Sequence, residues 1–499
     1  MRGISRLALL AVLLSTPVGA ETVKLTLLGV GDVYNFEEED GRGGFARLNA
    51  VARAERAANP NTLYLFNGDM LSPSLASGFD KGQNTIDFTN LVPFDLAVPG
   101  NHEFDFGPEN FIEKMKASKY PWAAINITNA DGSAIEGLGG VMVKEVGGLK
   151  VALIPVAQDT SPEVSSTGSL KFLSTVETGV AAAEKAREEG ADIVVGVVQT
   201  NMENDRALMA SGAFDVILSG DDHSYATAYD GRTAYVETSI DGQFLSPVDL
   251  TVEVSVAEDG KREILWVPAF RFIDTATVTP DPESVAMADA LRATMDESLN
   301  VEIGTVEAPL DSRRNVVRAE EATMGNLITD ALRDATGADI ALMNGGGIRG
   351  DTTYDAGRKL TRRDILTELP FGNTTVVTEL PGSQVLLALE NAVSQVENGS
   401  GRFAQVSGLT FAFDASAPAG SRVSEVMVGG APLEADKLYT VAVNDYIVGG
   451  GDGYASLGGG RIITEGPTGQ LVANDVMAYV EKLGTVKVGV EGRIRKLGQ

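Results

Sequence analysis

The chain has 499 residues, 43% of them hydrophobic, and a formal charge of −29. That length exceeds what one hydrophobic core usually supports, so two domains are expected. The acidic excess argues against nucleic-acid polymers and anionic membranes as partners, and the absence of cysteine removes both disulfides and thiolate metal ligands.

The chain opens with Arg2 and Arg6, an apolar run from Leu7 to Leu14, and the small-residue tripeptide Val18-Gly19-Ala20. This is the layout of a secretory signal peptide over residues 1–20, with cleavage near Ala20. Losing the two arginines takes the formal charge from −29 to −31. No later apolar stretch reaches the roughly 18 to 20 residues that a membrane helix needs. The expected product is therefore periplasmic or secreted, without a membrane span.

From Val23 to about Val254, β-rich runs alternate with helical periods. Strands are predicted at 23–30, 62–66, 192–198 and 214–218, and helices at 44–56 and 176–188. The run VMVKEV-GG-LKVALIPV reads as a β-hairpin. Buried strands alternating with helices imply an α/β architecture, either in simple layers or as a four-layer α/β/β/α stack. A Pro- and Asp-marked stretch at 279–300, helical from about Glu283, marks the boundary. This divides the mature chain into domains at 21–278 and 301–499. The second half predicts helices near 322–335, 383–395 and 469–483, and strands near Ile340, Val376 and Val441. The acidic run Glu37 to Asp40 reads as a solvated loop.

In the first half, polar residues stand where strands end. Asp32 follows VKLTLLGVG, Asp69 follows LYLFNG, and Asn101 and His102 follow DLAVPG. Gln199 follows VVGVV, and Asp221 to His223 follow DVILSG. Ligand sites on α/β sheets gather at such ends. Asp, Asn, Gln and His converging from five ends suit a binuclear metal site. An Asp after a strand is more often a turn or a cap than a ligand. GNHEFD at 100–105 is more specific, because one tight loop carries an amide oxygen, an imidazole and a carboxylate, and its spacing lets Asp105 orient His102.

In this order, GDVY, NGDMLSPS, GNHEFD, QTNMEND and SGDDH resemble the motifs of the calcineurin-like metallophosphoesterases, and GGFARL resembles that family's first helix. VRAEEATMGNLITDAL, NGGGIRG, LPFGN, RFAQVSGL and NDYIVGGGDGY resemble the 5′-nucleotidase C-terminal domain. The resemblance spans essentially the whole mature chain. It implies a four-layer α/β/β/α domain followed by a mixed α+β domain that binds substrate. By resemblance, Asp69 would bridge two metals, Asp32 and His223 would complete one site, and Asn101, Gln199 and Asp221 would occupy the other. His102 held by Asp105 would be the catalytic dyad. Arg318 and Arg349 would reach phosphate, Asn344 the base and Asp452 the ribose, with Phe371 and Tyr446 sandwiching the base; forked guanidinium groups and flat rings suit those tasks.

The departures from the family pattern are informative. Relatives place histidine at the positions of Tyr34, Gln199 and Asp221, yet this chain holds only two histidines, His102 and His223. Tyr34, a possible ligand, is familiar from a bacterial subgroup that reads DVY. All three replacements keep a side-chain oxygen, and oxygen-rich sites suit Mn, Mg, Ca or Fe better than Zn. Two readings stand. One is an exported phosphoester hydrolase retuned to a harder cation and acting on nucleoside 5′-monophosphates, nucleotide sugars or 2′,3′-cyclic nucleotides. The other is a periplasmic nucleotide-binding protein whose metal site has decayed. Retuning is the preferred reading, because crowded aspartates without a cation would repel one another.

Overall fold

The computed structural model describes residues 21–257, 261–464 and 471–498. The leader expected at 1–20 and the start of the helix expected from Gly469 lie outside the described residues.

Two sheets form the centre of the first half. One contains β1 (Glu21–Val30), β2 (Thr62–Phe66) and β3 (Leu96–Ala97), extended by β10 (Val248–Val256) and β11 (Arg262–Phe270) in the order β11-β10-β1-β2-β3. The other contains β4 (Met142–Val146), β5 (Leu149–Val156), β6 (Ile193–Val198), β7 (Val216–Ser219), β8 (Ala226–Tyr229) and β9 (Ala234–Glu237), in the order β8-β9-β7-β6-β5-β4. The expected hairpin is present as antiparallel β4 and β5. The two-residue side-chain period divides each strand between two cores. Leu25 and Leu27 of β1 and Val151 and Leu153 of β5 meet between the sheets. Leu28 and Val30 face the helices on one side, and Ala152 and Ile154 face those on the other.

Helix α1 (Gly44–Ala58) buries Phe45, Leu48, Ala52 and Glu55, a 3.6-residue stripe, against the first sheet. Helices α2 (Thr175–Glu188) and α3 (Met202–Ser211) cover the second sheet. The result is the expected α/β/β/α stack. Helix α4 (Pro282–Leu299) fills the boundary stretch and adds Ala288, Met295 and Leu299 to the core under α1. The acidic run is exposed, with Glu37 paired to Arg292 and Glu38 to Arg47.

The second half is built around a five-stranded mixed sheet. Its strands are β12 (Ile340–Asn344), β13 (Thr375–Pro381), β14 (Ala404–Ser407), β15 (Leu438–Asn444) and β16 (Arg461–Thr464), in the order β14-β12-β15-β13-β16. Ala341 and Met343 face α5 (Thr323–Thr336) and α8 (Val472–Leu483), whereas Ile340 and Leu342 face α7 (Gly382–Val393). The short helix α6 (Arg362–Glu368) holds the loop that carries Arg349 within this domain, the Arg349 backbone N–H donating to the Glu368 carbonyl at 2.9 Å. No described helix is long and apolar enough to cross a membrane.

Candidate active site

Register sets the site. Val30 lies opposite Phe66, and Phe66 opposite Ala97, so parallel β1, β2 and β3 end together. Val156 pairs with Val198, and Val197 with Leu218, so β5, β6 and β7 end together in the second sheet. The loops beyond these ends carry Asp32, Asp69, Asn101, Gln199 and Asp221. Asp32, Asp69, Asp221 and His223 adopt positive φ angles of 55°, 65°, 107° and 57°. L-residues adopt that conformation uncommonly, aspartate more readily than most, and such residues cluster at functional sites.

Gln199 lies between two aspartates. Its Nε2 donates to Asp69 Oδ2 at 2.8 Å and to Asp32 Oδ1 at 3.2 Å. The Asp221 backbone N–H donates to Asp32 at 3.1 Å, and Gln158 Nε2 donates to Asp221 Oδ2 at 3.2 Å. The Tyr34 hydroxyl lies 3.0 Å from His223 Nε2 and donates to Asp69 Oδ2 at 3.5 Å. The backbones at Gly100 and Gly220 press on these groups: a Cβ there would lie 2.2 Å from Asp69 Oδ1 and 2.8 Å from Asp32 Oδ2, respectively.

Charge is unbalanced at this point. Burial holds the Asp32 and Asp69 carboxyls well above the usual carboxylate range, and neighbouring carboxylates add to the rise. Burial, then Asp222, pushes Asp221 up to about 6. His223 is lowered by burial, then by His102 and Arg349. Among the described residues, Asp32 pairs with the His223 imidazole at 3.9 Å and with no Lys or Arg. The oxygens Asn101 Oδ1, Gln158 Oε1 and Gln199 Oε1 are buried without a hydrogen-bond partner. Orphaned acceptors beside crowded carboxylates fit a bound cation. Among the described residues, no group of three or more Asp, Glu or His side chains is arranged so that it could hold a metal ion.

The GNHEFD loop is organised by Glu103, which the sequence reading passed over. Its buried carboxylate accepts from the backbone N–H groups of Asp69, Met70, Leu71 and Gly100 at 2.6 to 3.3 Å. His102 N donates to Asp69 Oδ1 at 2.8 Å, and His102 Nδ1 lies 2.6 Å from Asp105 Oδ2. The expected His102–Asp105 pair is thus formed. Gln158 was also missed, although it stands just past the end of β5, where the strand-end rule would have found it.

Facing this centre is a cavity of about 240 Å³. Asn101, His102 and Asp105 line one wall; Arg318, Arg349, Phe371, Tyr446 and Asp452 line the other. Asn344 also lines it, donating to Asp452 Oδ2 at 2.7 Å and accepting from Asn444 at 3.0 Å. The Phe371 ring lies nearly parallel to His102, with centroids 6.4 Å apart, and the Arg349 guanidinium carbon lies 5.2 Å from the centroid of the Phe371 ring. Burial, then Arg314 and Arg349, lowers Arg318 to about 10, and its Nε is buried without a partner. Converging guanidinium groups, one of them with a buried unpaired N–H, fit an anion.

Fold and site together define a metallophosphoesterase domain whose polar centre opens onto a second, ligand-reading domain. Residues 25–225 match the calcineurin-like phosphoesterase family, and residues 302–459 match the 5′-nucleotidase C-terminal domain. The chain belongs to the 5′-nucleotidase family, within the phosphoric monoester hydrolases. The family's phosphoesterase domain works with divalent metal ions. The chain is 28% identical to a 5′-nucleotidase precursor from Thermus thermophilus whose structure covers 96% of this chain and 100% of that one, with a TM-score of 0.73. Human 5′-nucleotidase is 25% identical over 95% of this chain and 91% of its own length. The trifunctional nucleotide phosphoesterase YfkN of Bacillus subtilis is 28% identical over 95% of this chain, which spans only 35% of that larger protein.

Proposed function

We propose that this protein is an exported, metal-dependent hydrolase that releases phosphate from nucleoside 5′-monophosphates or closely related nucleotides. The observation that carries this reading is the shared cavity. The His102–Asp105 pair forms one wall, and two arginines with two aromatic rings form the other. A phosphate held by Arg318 and Arg349 would lie against the dyad, with a flat base on the aromatic side. Asp32, Asp69, Asn101, Gln199, Asp221 and His223 would hold the cations, with Tyr34 beside them. When bound, divalent cations would screen the phosphate and make water a competent nucleophile at neutral pH. With Nδ1 held by Asp105, His102 presents Nε2 to the cavity, where it can stabilise charge on the phosphoryl group or the leaving oxygen.

The donor set favours Mn, Mg, Ca or Fe over Zn, since His223 is the one imidazole among the assigned ligands. The test is bound-metal content together with hydrolysis of adenosine 5′-monophosphate after dialysis and addition of each cation. Turnover that is low after dialysis and restored by Mn, Mg, Ca or Fe is expected. A protein that binds the nucleotide yet holds no metal and releases no phosphate would leave the non-catalytic binding protein as the surviving reading.

A further inference from the structure

The dyad carboxylate has a second partner outside its own loop. While Asp105 Oδ2 faces His102 Nδ1 at 2.6 Å, the Ser165 hydroxyl donates to Asp105 Oδ1 at 2.7 Å. Ser165 is buried and lies on the segment that follows β5, sixty residues from Asp105 in sequence. That segment is braced along its length. Ser161 Oγ donates to the Gln158 carbonyl at 2.7 Å, Ser165 N donates to the Ser161 carbonyl at 2.9 Å, and Asp159 and Thr175 exchange hydrogen bonds at 3.0 and 3.1 Å. It is also held from the other domain, because the Tyr446 hydroxyl donates to the Glu163 carbonyl at 3.1 Å. A phenylalanine at position 446 could not make that bond.

We infer that Ser165 is a positioning residue that fixes the Asp105 carboxylate plane, and that the Tyr446–Glu163 bond ties this alignment to the nucleotide-binding domain. A carboxylate held at one oxygen only can rotate about its Cβ–Cγ bond. Held at both oxygens, it presents Oδ2 to His102 in one direction, which fixes the imidazole tautomer and its aim at the cavity. Since Glu163 is two residues from Ser165, pulling on the Glu163 carbonyl from Tyr446 bears directly on the serine. Base binding and dyad alignment are thereby joined through one short segment. The catalytic consequence rests on the hydrolase reading above; the geometric one does not.

The experiment exploits the fact that His102 and His223 are the only histidines. In full-length protein with Mg²⁺, ¹⁵N-labelled histidine gives one imidazole signal set for each, and the His102 Nδ1–H proton reports its bond to Asp105. Ser165→Ala should move that signal and leave His223 in place. It should also lower kcat for adenosine 5′-monophosphate roughly 10-fold with little change in KM. The loss should be larger for phenyl phosphate than for 4-nitrophenyl phosphate, whose better leaving group needs less help. Ser165→Thr, which keeps the hydroxyl, should restore both signal and rate. Tyr446→Phe should move the His102 signal in the same direction by a smaller amount. Should Ser165→Ala fail to fold, Ser165→Cys, with a weaker donor of similar size, is read in the same way. An unmoved His102 signal in the Ser165 variant overturns the positioning role, and an unmoved signal in Tyr446→Phe overturns the tie between domains. Absence of turnover in every form with a responsive His102 signal would instead remove the hydrolase reading and keep the positioning one.

Discussion

Glu103 shows how one buried side chain can hold two loops in a working geometry. Its carboxylate takes four backbone donors, three of them from the segment carrying Asp69. Replacing it with alanine would strand those donors in a dry interior, where each unsatisfied group costs about 1 to 3 kcal/mol. Glu103→Ala should therefore lose at least about 3 kcal/mol in urea unfolding, and bound metal should fall with it because Asp69 loses its placement. A loss confined to the surface range of about 0.5 kcal/mol would contradict that role. Gln199 calls for a different experiment. Its amide touches both Asp32 and Asp69, so the double variant Gln199→His, Asp221→His should shift metal preference toward Zn or Co, measured as bound metal and hydrolysis across the same cations. An unchanged preference would count against their assignment as ligands.

At the scale of elements, α6 ends on Glu368, whose buried carboxyl braces the Arg349 loop. It accepts from Ser312 Oγ and Tyr354 OH at 2.7 Å and from Gly350 N at 3.2 Å. Burial outweighs these donors and pushes the group up to about 7 from 4.5. The native state therefore binds the proton more tightly than the unfolded chain. This contribution to stability is fully present below about 4.5 and is lost as pH rises through about 7. By linkage the change is on the order of 3 kcal/mol. Glu368→Gln, which cannot ionise, should flatten the pH dependence of unfolding between those values, as followed by denaturant titration. If wild type and variant keep parallel profiles, the carboxyl does not titrate in that window.

For the whole molecule, the two domains meet across a cavity to which each contributes different chemistry. Phe371 lies parallel to His102 from the opposite domain, and Tyr446 reaches Glu163. Phe371→Ala should raise KM for nucleotides, since stacking contributes about 1 to 3 kcal/mol per base, while turnover of a small aryl phosphate barely changes. Equal losses on both substrates would contradict a base-stacking role.

Much of this was legible in the sequence because strands ending in polar residues leave a local signature. Asp32, Asp69, Asn101, Gln199 and Asp221 each follow an apolar run, and periodicity located α1, α2, α5 and α7 to within a few residues. The β10–β11 hairpin was not anticipated, because its strands are half exposed and lack a continuous apolar run. What the sequence by itself determined was the set of chemical groups and the element that delivers each one. Only the tertiary structure decided which of them touch. Glu103 braces Asp69, Gln158 reaches Asp221, and Ser165 completes the Asp105 contacts through pairings 34, 63 and 60 residues apart. Such contacts depend on strand register and on the packing of one sheet against another, and neither is encoded in the local neighbourhood of any single residue.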